Sequence, residues 1–145
     1  MRRIMLVGRT GAGKTSFCQV MNGQELRYQK TQAIEFLDNA IDTPGEYVEN
    51  RKLYAALSVT AAEADLIVLV QDCSDREDVF SPGMAAMFDK PVIGVVTKVD
   101  LDETGEQTRH AADQLELAGC EKIFRLSNVT GAGVRELVDY LEQSE

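Results

Sequence analysis

The octapeptide Gly8-Arg9-Thr10-Gly11-Ala12-Gly13-Lys14-Thr15 constrains this chain more than any other stretch. It has the form G-x-x-x-x-G-K-[ST], a phosphate-binding loop when a strand precedes it and a helix follows. Both flanks comply. Ile4-Met5-Leu6-Val7 is a short apolar strand candidate, and Ser16-Phe17-Cys18-Gln19-Val20-Met21 reads as helix. Glycines let the backbone fold tightly and turn successive N–H groups inward as an anion nest. The following helix adds the positive end of its dipole. Gly8, Arg9, Gly11, Ala12, Gly13, Lys14, Thr15 and Ser16 are therefore the candidate phosphate-binding residues. Lys14 would reach the β- and γ-phosphates as the catalytic cation, and the Thr15 hydroxyl would ligate Mg²⁺.

Composition limits what can surround that loop. The chain has 145 residues, 44% hydrophobic and 27% charged, the profile of one soluble globular domain over residues 1–145. Lys and Arg number 15 against 24 Asp and Glu, a net charge of −9. That balance opposes binding to nucleic acid or anionic lipid, whereas one locally positive loop still accommodates a nucleotide. Cys18, Cys73 and Cys120 are odd in number, widely spaced and without metal-binding spacing. A reducing compartment is expected. The apolar run after Arg2 and Arg3 ends at Gly8, too short for a signal peptide. No run approaches the roughly 20 apolar residues that cross a bilayer. The expectation is a cytoplasmic protein.

Three apolar runs with little alternation, Ile4 to Val7, Leu66 to Val70 and Val92 to Val96, suit parallel strands covered on both faces. Between them, Leu53, Ala56, Leu57, Ala61 and Ala64 follow helical spacing. A second helix is expected from about Glu106 to Leu117, closed by Gly119, and a third carries the stripe Val134, Leu137, Val138, Leu141. Ile123 to Leu126 reads as a last short strand. Gln32 to Ile41, with Asp38-Asn39 at its middle, suggests a hairpin. Strands alternating with helices argue for a doubly wound α/β sheet.

Three further segments carry chemistry at predicted strand ends. Asp42-Thr43-Pro44-Gly45 offers a carboxylate for Mg²⁺ and a glycine whose N–H would approach a γ-phosphate; alone it would read equally well as a turn. Thr97-Lys98-Val99-Asp100 offers a carboxylate for the two donors on the guanine edge, which adenine lacks, with the Lys98 stem along the base. Asp100 or Asp102 reads equally well as a helix cap. Ser127-Asn128-Val129 would bring backbone N–H groups to the guanine O6, or is a polar turn. Thr31 is the candidate loop hydroxyl for Mg²⁺, or a solvated threonine. His110 lies far from these segments and reads as a surface residue.

Four such segments in fixed order resemble the GTP-binding boxes of small GTPases. In finer detail the sequence resembles the EutP/PduV family of P-loop proteins, through residues 8–15, Lys30-Thr31-Gln32-Ala33-Ile34-Glu35-Phe36, Ile41-Asp42-Thr43-Pro44-Gly45-Glu46-Tyr47 and Leu137-Val138-Asp139-Tyr140-Leu141. The resemblance implies a three-layer, small-GTPase-like fold with a mostly parallel six-stranded sheet and one antiparallel edge strand. It implies Mg²⁺ and GTP or GDP as cofactors, with ATP as the alternative, and a role in ethanolamine or propanediol utilisation at a bacterial microcompartment. Some family members carry the name acetate kinase. Against the GTPase pattern, Thr97 replaces Asn, Asn128 replaces a small Ala, and Glu46 stands where a water-orienting Gln is usual. A Glu46 carboxylate would accept a proton from water but repel the γ-phosphate. Thr10 adds a side chain where a partner's arginine finger passes, and Gly11 replaces the Asn of potassium-stimulated GTPases. These departures imply weak nucleotide affinity and slow hydrolysis. The expected function is thus a slow GTPase switch with a protein or shell partner, the alternative being phosphoryl transfer between ATP and acetate.

Overall fold

The computed structural model describes residues 3–9, 40–43, 45, 48, 50–75, 79–127, 130–131 and 133–143. The sheet begins with β1 (Ile4–Val7), buried along its whole length. Strand β2 (Ala40–Asp42) pairs with one edge of β1 and β3 (Leu66–Asp72) with the other. β4 (Val92–Thr97) and β5 (Ile123–Arg125) extend the sheet beyond β3, giving the order β2-β1-β3-β4-β5 with every pairing parallel.

Parallel strands need helical crossovers, and these cover both faces. Successive side chains of a strand point to opposite sides, so each apolar run feeds two cores. Met5, Val7, Ile67, Leu69 and Val96 pack with Leu57 and Ala61 of α1 (Tyr54–Ala61) and with Ala111 and Leu115 of α2 (Glu106–Ala118). Ile4, Leu6, Val68, Val70 and Ile93 face the other way, onto Phe124, Leu126 and Leu137 of α3 (Val134–Gln143). Burying each large aliphatic contributes about 1.5–3 kcal/mol, which explains why these runs carry almost no polar residues.

α2 shows how local sequence sets its boundaries. Asp102 accepts the N–H groups of Gly105 at 3.1 Å and Thr108 at 2.8 Å, satisfying donors of the first turn. At the other end Gly119 adopts φ 106° and returns its N–H to the last carbonyls. α2 approaches β4 over Gly94. A methyl group there would meet Leu115 at 3.0 Å and the Cys120 sulfur at 3.2 Å, so the missing side chain is what allows the contact.

Several expectations shift at their edges. β3 runs beyond Val70 to include Gln71 and Asp72. Gln71 is buried, and its Nε2 donates to Gln114 Oε1 on α2 at 2.7 Å, so a polar residue occupies an interior position by pairing with another. Leu53 lies in a 3₁₀ turn (Arg51–Leu53) ahead of α1, and Ala64 is buried beyond its end. β5 stops at Arg125, with Leu126 donating its N–H to Val96. The hairpin expected at 32–41 falls mostly on residues outside those described, as do the antiparallel edge strand and the helix after the phosphate loop; its final residues form β2.

Candidate functional site

In a parallel sheet the carboxyl ends of all strands share one edge, where ligands of open α/β folds bind. Gly8, Thr43 and Ser127 each lie just past a strand at this edge, and Thr97 is the last residue of β4.

After β1 the backbone at Gly8 runs hard against β3. A Cβ at Gly8 would lie 2.6 Å from the carbonyl oxygen of Val70, so only glycine fits. Arg9 then turns toward the segment after β3, where its Nη1 donates to both oxygens of Asp75 at 3.1 and 3.2 Å. Gly11, Ala12, Gly13, Lys14, Thr15, Ser16 and Thr31 lie outside the described residues.

After β2, Thr43 is tied to β1 twice. Its N–H and its hydroxyl both donate to the Leu6 carbonyl, at 3.2 and 2.7 Å. Asp42 is in register with Leu6, so its backbone sits beside the strand that feeds the phosphate loop. Gly45 is buried and accepts the Val48 N–H at 3.3 Å. Glu46 lies outside the described residues.

At the end of β4, Thr97 is buried with its hydroxyl 3.4 Å from the Gln71 carbonyl. Lys98 has φ 61°, the only non-glycine in the left-handed region among the described residues. Backbone strain of this kind persists only where surroundings enforce it. Here they do: the Lys98 carbonyl accepts from the Cys73 thiol at 3.2 Å and from the Leu101 N–H at 2.9 Å, and its Nζ pairs with Asp72 at 3.0 Å. The kink leads into an exposed Asp100. Ser127, wholly buried after β5, donates its hydroxyl to Asp100 Oδ1 at 2.6 Å and accepts the Thr130 N–H at 3.0 Å. The Val99 N–H reaches the Leu126 carbonyl at 3.2 Å, stitching the two loops together. The two neighbouring aspartates thus divide their work: Asp102 caps α2, while Asp100 is held by Ser127. Asn128 and Val129 lie outside the described residues.

Electrostatics follow the contacts. Burial pushes the Asp72 carboxyl up, but the Ser74 N–H and hydroxyl together with the Lys98 ammonium outweigh it and hold Asp72 below the ordinary value. Asp102 is likewise lowered, chiefly by the Thr108 N–H. Burial, aided by the Asp72 charge, pushes the Cys73 thiol up. Asp72, Cys73 and Asp75 were not singled out by the sequence. Two carboxylates at the end of an apolar strand, in the turn-rich stretch Gln71-Asp72-Cys73-Ser74-Asp75, were the available signal.

The chemistry available is recognition of a planar donor edge by an exposed, oriented carboxylate. A hydroxyl and carboxylate donor set such as Thr15, Thr31 and Asp42 suits a hard cation like Mg²⁺, and the register of Asp42 beside β1 is compatible with it. Among the described residues no group of three His, Cys, Asp or Glu side chains is placed to hold a metal ion, and no helix is long and apolar enough to cross a membrane.

A family profile described as "Ethanolamine utilisation - propanediol utilisation" matches residues 1–143. The chain is 46% identical over 145 residues to the propanediol utilization protein PduV of Citrobacter freundii, covering 100% of this chain and 96% of that one. It is 37% identical over 145 residues to the probable acetate kinase EutP of Salmonella typhimurium, covering 97% and 89%. A solved structure of an Era variant from Aquifex aeolicus bound to GDP.AlF4⁻ superposes with a TM-score of 0.61 at 18% identity. That match covers 97% of this chain and 55% of Era, and it establishes a GTPase-like α/β fold.

Proposed function

The chain belongs to the PduV-EutP family of ethanolamine and propanediol utilisation proteins, and on that footing we propose that it is a Mg²⁺-dependent guanine-nucleotide-binding protein that hydrolyses GTP slowly and acts as a switch. What carries the reading is the Asp100–Ser127 hydrogen bond at 2.6 Å. The buried serine orients one carboxylate oxygen and leaves the exposed group facing outward, suited to the N1 and N2 donors of guanine. A bound adenine would leave that carboxylate without donors, a mismatch that discriminates strongly between bases.

In this reading residues 1–145 are one nucleotide-binding domain. The amides of residues 8–16 and Lys14 hold the phosphates, and Lys98 lies along the base. Thr97, Asn128 and Val129 complete the base pocket. Thr15, Thr31 and Asp42 would hold Mg²⁺, which would supply positive charge to offset the phosphates. Gly45 approaches the γ-phosphate, and Glu46, an anion where an amide is usual, keeps hydrolysis slow. The output is a nucleotide-dependent surface for a protein partner, such as a microcompartment shell, in the propanediol or ethanolamine utilisation that the family description names.

The name of the relative from Salmonella supports a second reading, phosphoryl transfer to acetate. An acceptor carboxylate needs a cation, and Arg9 is already engaged with Asp75, which argues against it in that role. Titration of fluorescent GDP and ATP analogues against the wild type and Asp100→Ala, with Mg²⁺ present, separates the readings. The switch predicts strong GDP preference that vanishes in the variant. Equal binding of both nucleotides, with acetate-dependent turnover, overturns it. Lys14→Ala should abolish triphosphate binding while the fold survives.

A further inference from the structure

The turn Asp72–Asp75 lies outside the four motif segments, yet it touches two of them. It is internally braced: Ser74 donates its N–H and hydroxyl to Asp72 Oδ1 at 2.9 and 2.8 Å, and the Asp75 N–H returns to the Asp72 carbonyl at 3.0 Å. It is also fixed to the end of β4, because the Cys73 N–H donates to the Thr97 carbonyl at 3.1 Å and the Cys73 thiol to the Lys98 carbonyl at 3.2 Å. From this braced turn two carboxylates reach two different segments. Asp75 takes the Arg9 guanidinium at the opening of the phosphate loop, and Asp72 takes the ammonium of Lys98, two residues before the base-reading Asp100. The four side chains are only 18–40% exposed, so solvent and salt screen these pairs less than fully exposed ones.

We infer that the Asp72–Asp75 turn is a positioning element that fixes the phosphate loop through Arg9 and the base-reading lysine through Asp72. The inference rests on the nucleotide-binding reading above and adds two residues to it. Each carboxylate has its own consequence. Without Asp75, Arg9 loses its two-pronged pair with the turn after β3, and the entry of the phosphate loop is held less firmly. Every nucleotide with a phosphate tail then binds less well, whatever its base. Without Asp72, the strained turn at Lys98 loses one of its restraints, Asp100 two residues on is aimed less sharply, and the loss falls on discrimination between bases.

The test measures the affinities of the wild type, Asp75→Asn, Asp72→Asn, Arg9→Asp and the exchanged pair Arg9→Asp with Asp75→Arg for fluorescent GDP and ADP analogues. Unfolding midpoints of the nucleotide-free proteins are recorded in parallel. Asp75→Asn is expected to weaken GDP and ADP binding alike, by on the order of 5-fold, the scale of a single well-placed ion pair. Asp72→Asn should lower the GDP-over-ADP preference by a similar factor. The exchanged pair should recover affinity lost in Arg9→Asp, which a generally loosened fold would not do. If the wild type binds and both Asn variants bind with unchanged affinity and preference, the inference fails alone. It fails equally if affinity falls only in proportion to lost stability, without recovery in the exchanged pair. A wild type that binds neither nucleotide overturns the functional reading and this inference together.

Discussion

The Ser127 hydroxyl donates to Asp100 Oδ1 at 2.6 Å while accepting the Thr130 N–H at 3.0 Å, so a buried serine fixes the direction of an exposed carboxylate. Ser127→Ala removes that restraint and leaves the Thr130 N–H without its side-chain acceptor. Hydrogen bonds to charged groups contribute about 1.5–3 kcal/mol when shielded, and less here because Asp100 faces water. The expected outcome is a loss of guanine affinity of roughly tenfold, the equivalent of about 1.4 kcal/mol, with binding of adenine nucleotides unchanged. Competition titration checks it, and an equal loss for both bases would contradict it.

Gln71 and Gln114 form a buried amide pair between sheet and helix, and Gln114 Nε2 continues 3.0 Å away to His110 at the surface. Gln71 Oε1 has no partner among the described residues. Removing one member strands the other, whereas replacing both with apolar groups of similar shape is nearly neutral. Gln114→Leu should therefore lower stability by about 1–3 kcal/mol, and Gln71→Leu with Gln114→Leu should recover most of it. Urea unfolding of the three proteins reads this directly. A double variant weaker than the single one refutes it.

Acid should unfold the protein in part through Asp72 and Asp102, both held below the ordinary carboxylate value of 3.8. A depressed folded-state value means that the contribution is present above pH 3.8 and is lost as pH falls through the lowered value. Asp102→Ala should be less stable than the wild type at pH 7, and the two should converge as the pH drops below about 3.8. Denaturant midpoints from pH 7 downward test this. A constant gap across that range would exclude it.

Cys120 is partly buried over Gly94, and burial pushes its thiol up to about 12. Since the thiolate is the nucleophile, Cys120 should resist alkylation by iodoacetamide at pH 8 in the native state and react on unfolding. The raised value also means that stability from this group is present below its ordinary value of 9 and lost as pH rises toward 12. Peptide mapping after timed alkylation supplies the measurement, and rapid native labelling of Cys120 would overturn the assignment.

The sheet was legible because burial on both faces leaves an unmistakable trace: Ile4 to Val7, Leu66 to Val70 and Val92 to Val96 have no room for polar side chains. Gln71 escaped that logic, since its place in β3 depends on a partner 43 positions away. Gly119 marked the end of α2 because its conformation is written in one residue. The choice between Asp100 and Asp102 as helix cap could not be made from order in the chain; it turns on which carboxylate meets the amides of Gly105 and Thr108. The pairing of Arg9 with Asp75 spans 66 positions and left no periodic signal at all.

β1 is the first strand in the chain and sits between β2 and β3. As a nascent polypeptide leaves the ribosome, Ile4 to Val7 must wait for residues up to Asp72 before both of their neighbours exist. During that interval an apolar tetrapeptide with two unsatisfied edges is open to pairing with another chain. Slowing synthesis between the codons for Val7 and Asp72 should accordingly lower soluble yield, which expression from recoded genes would measure.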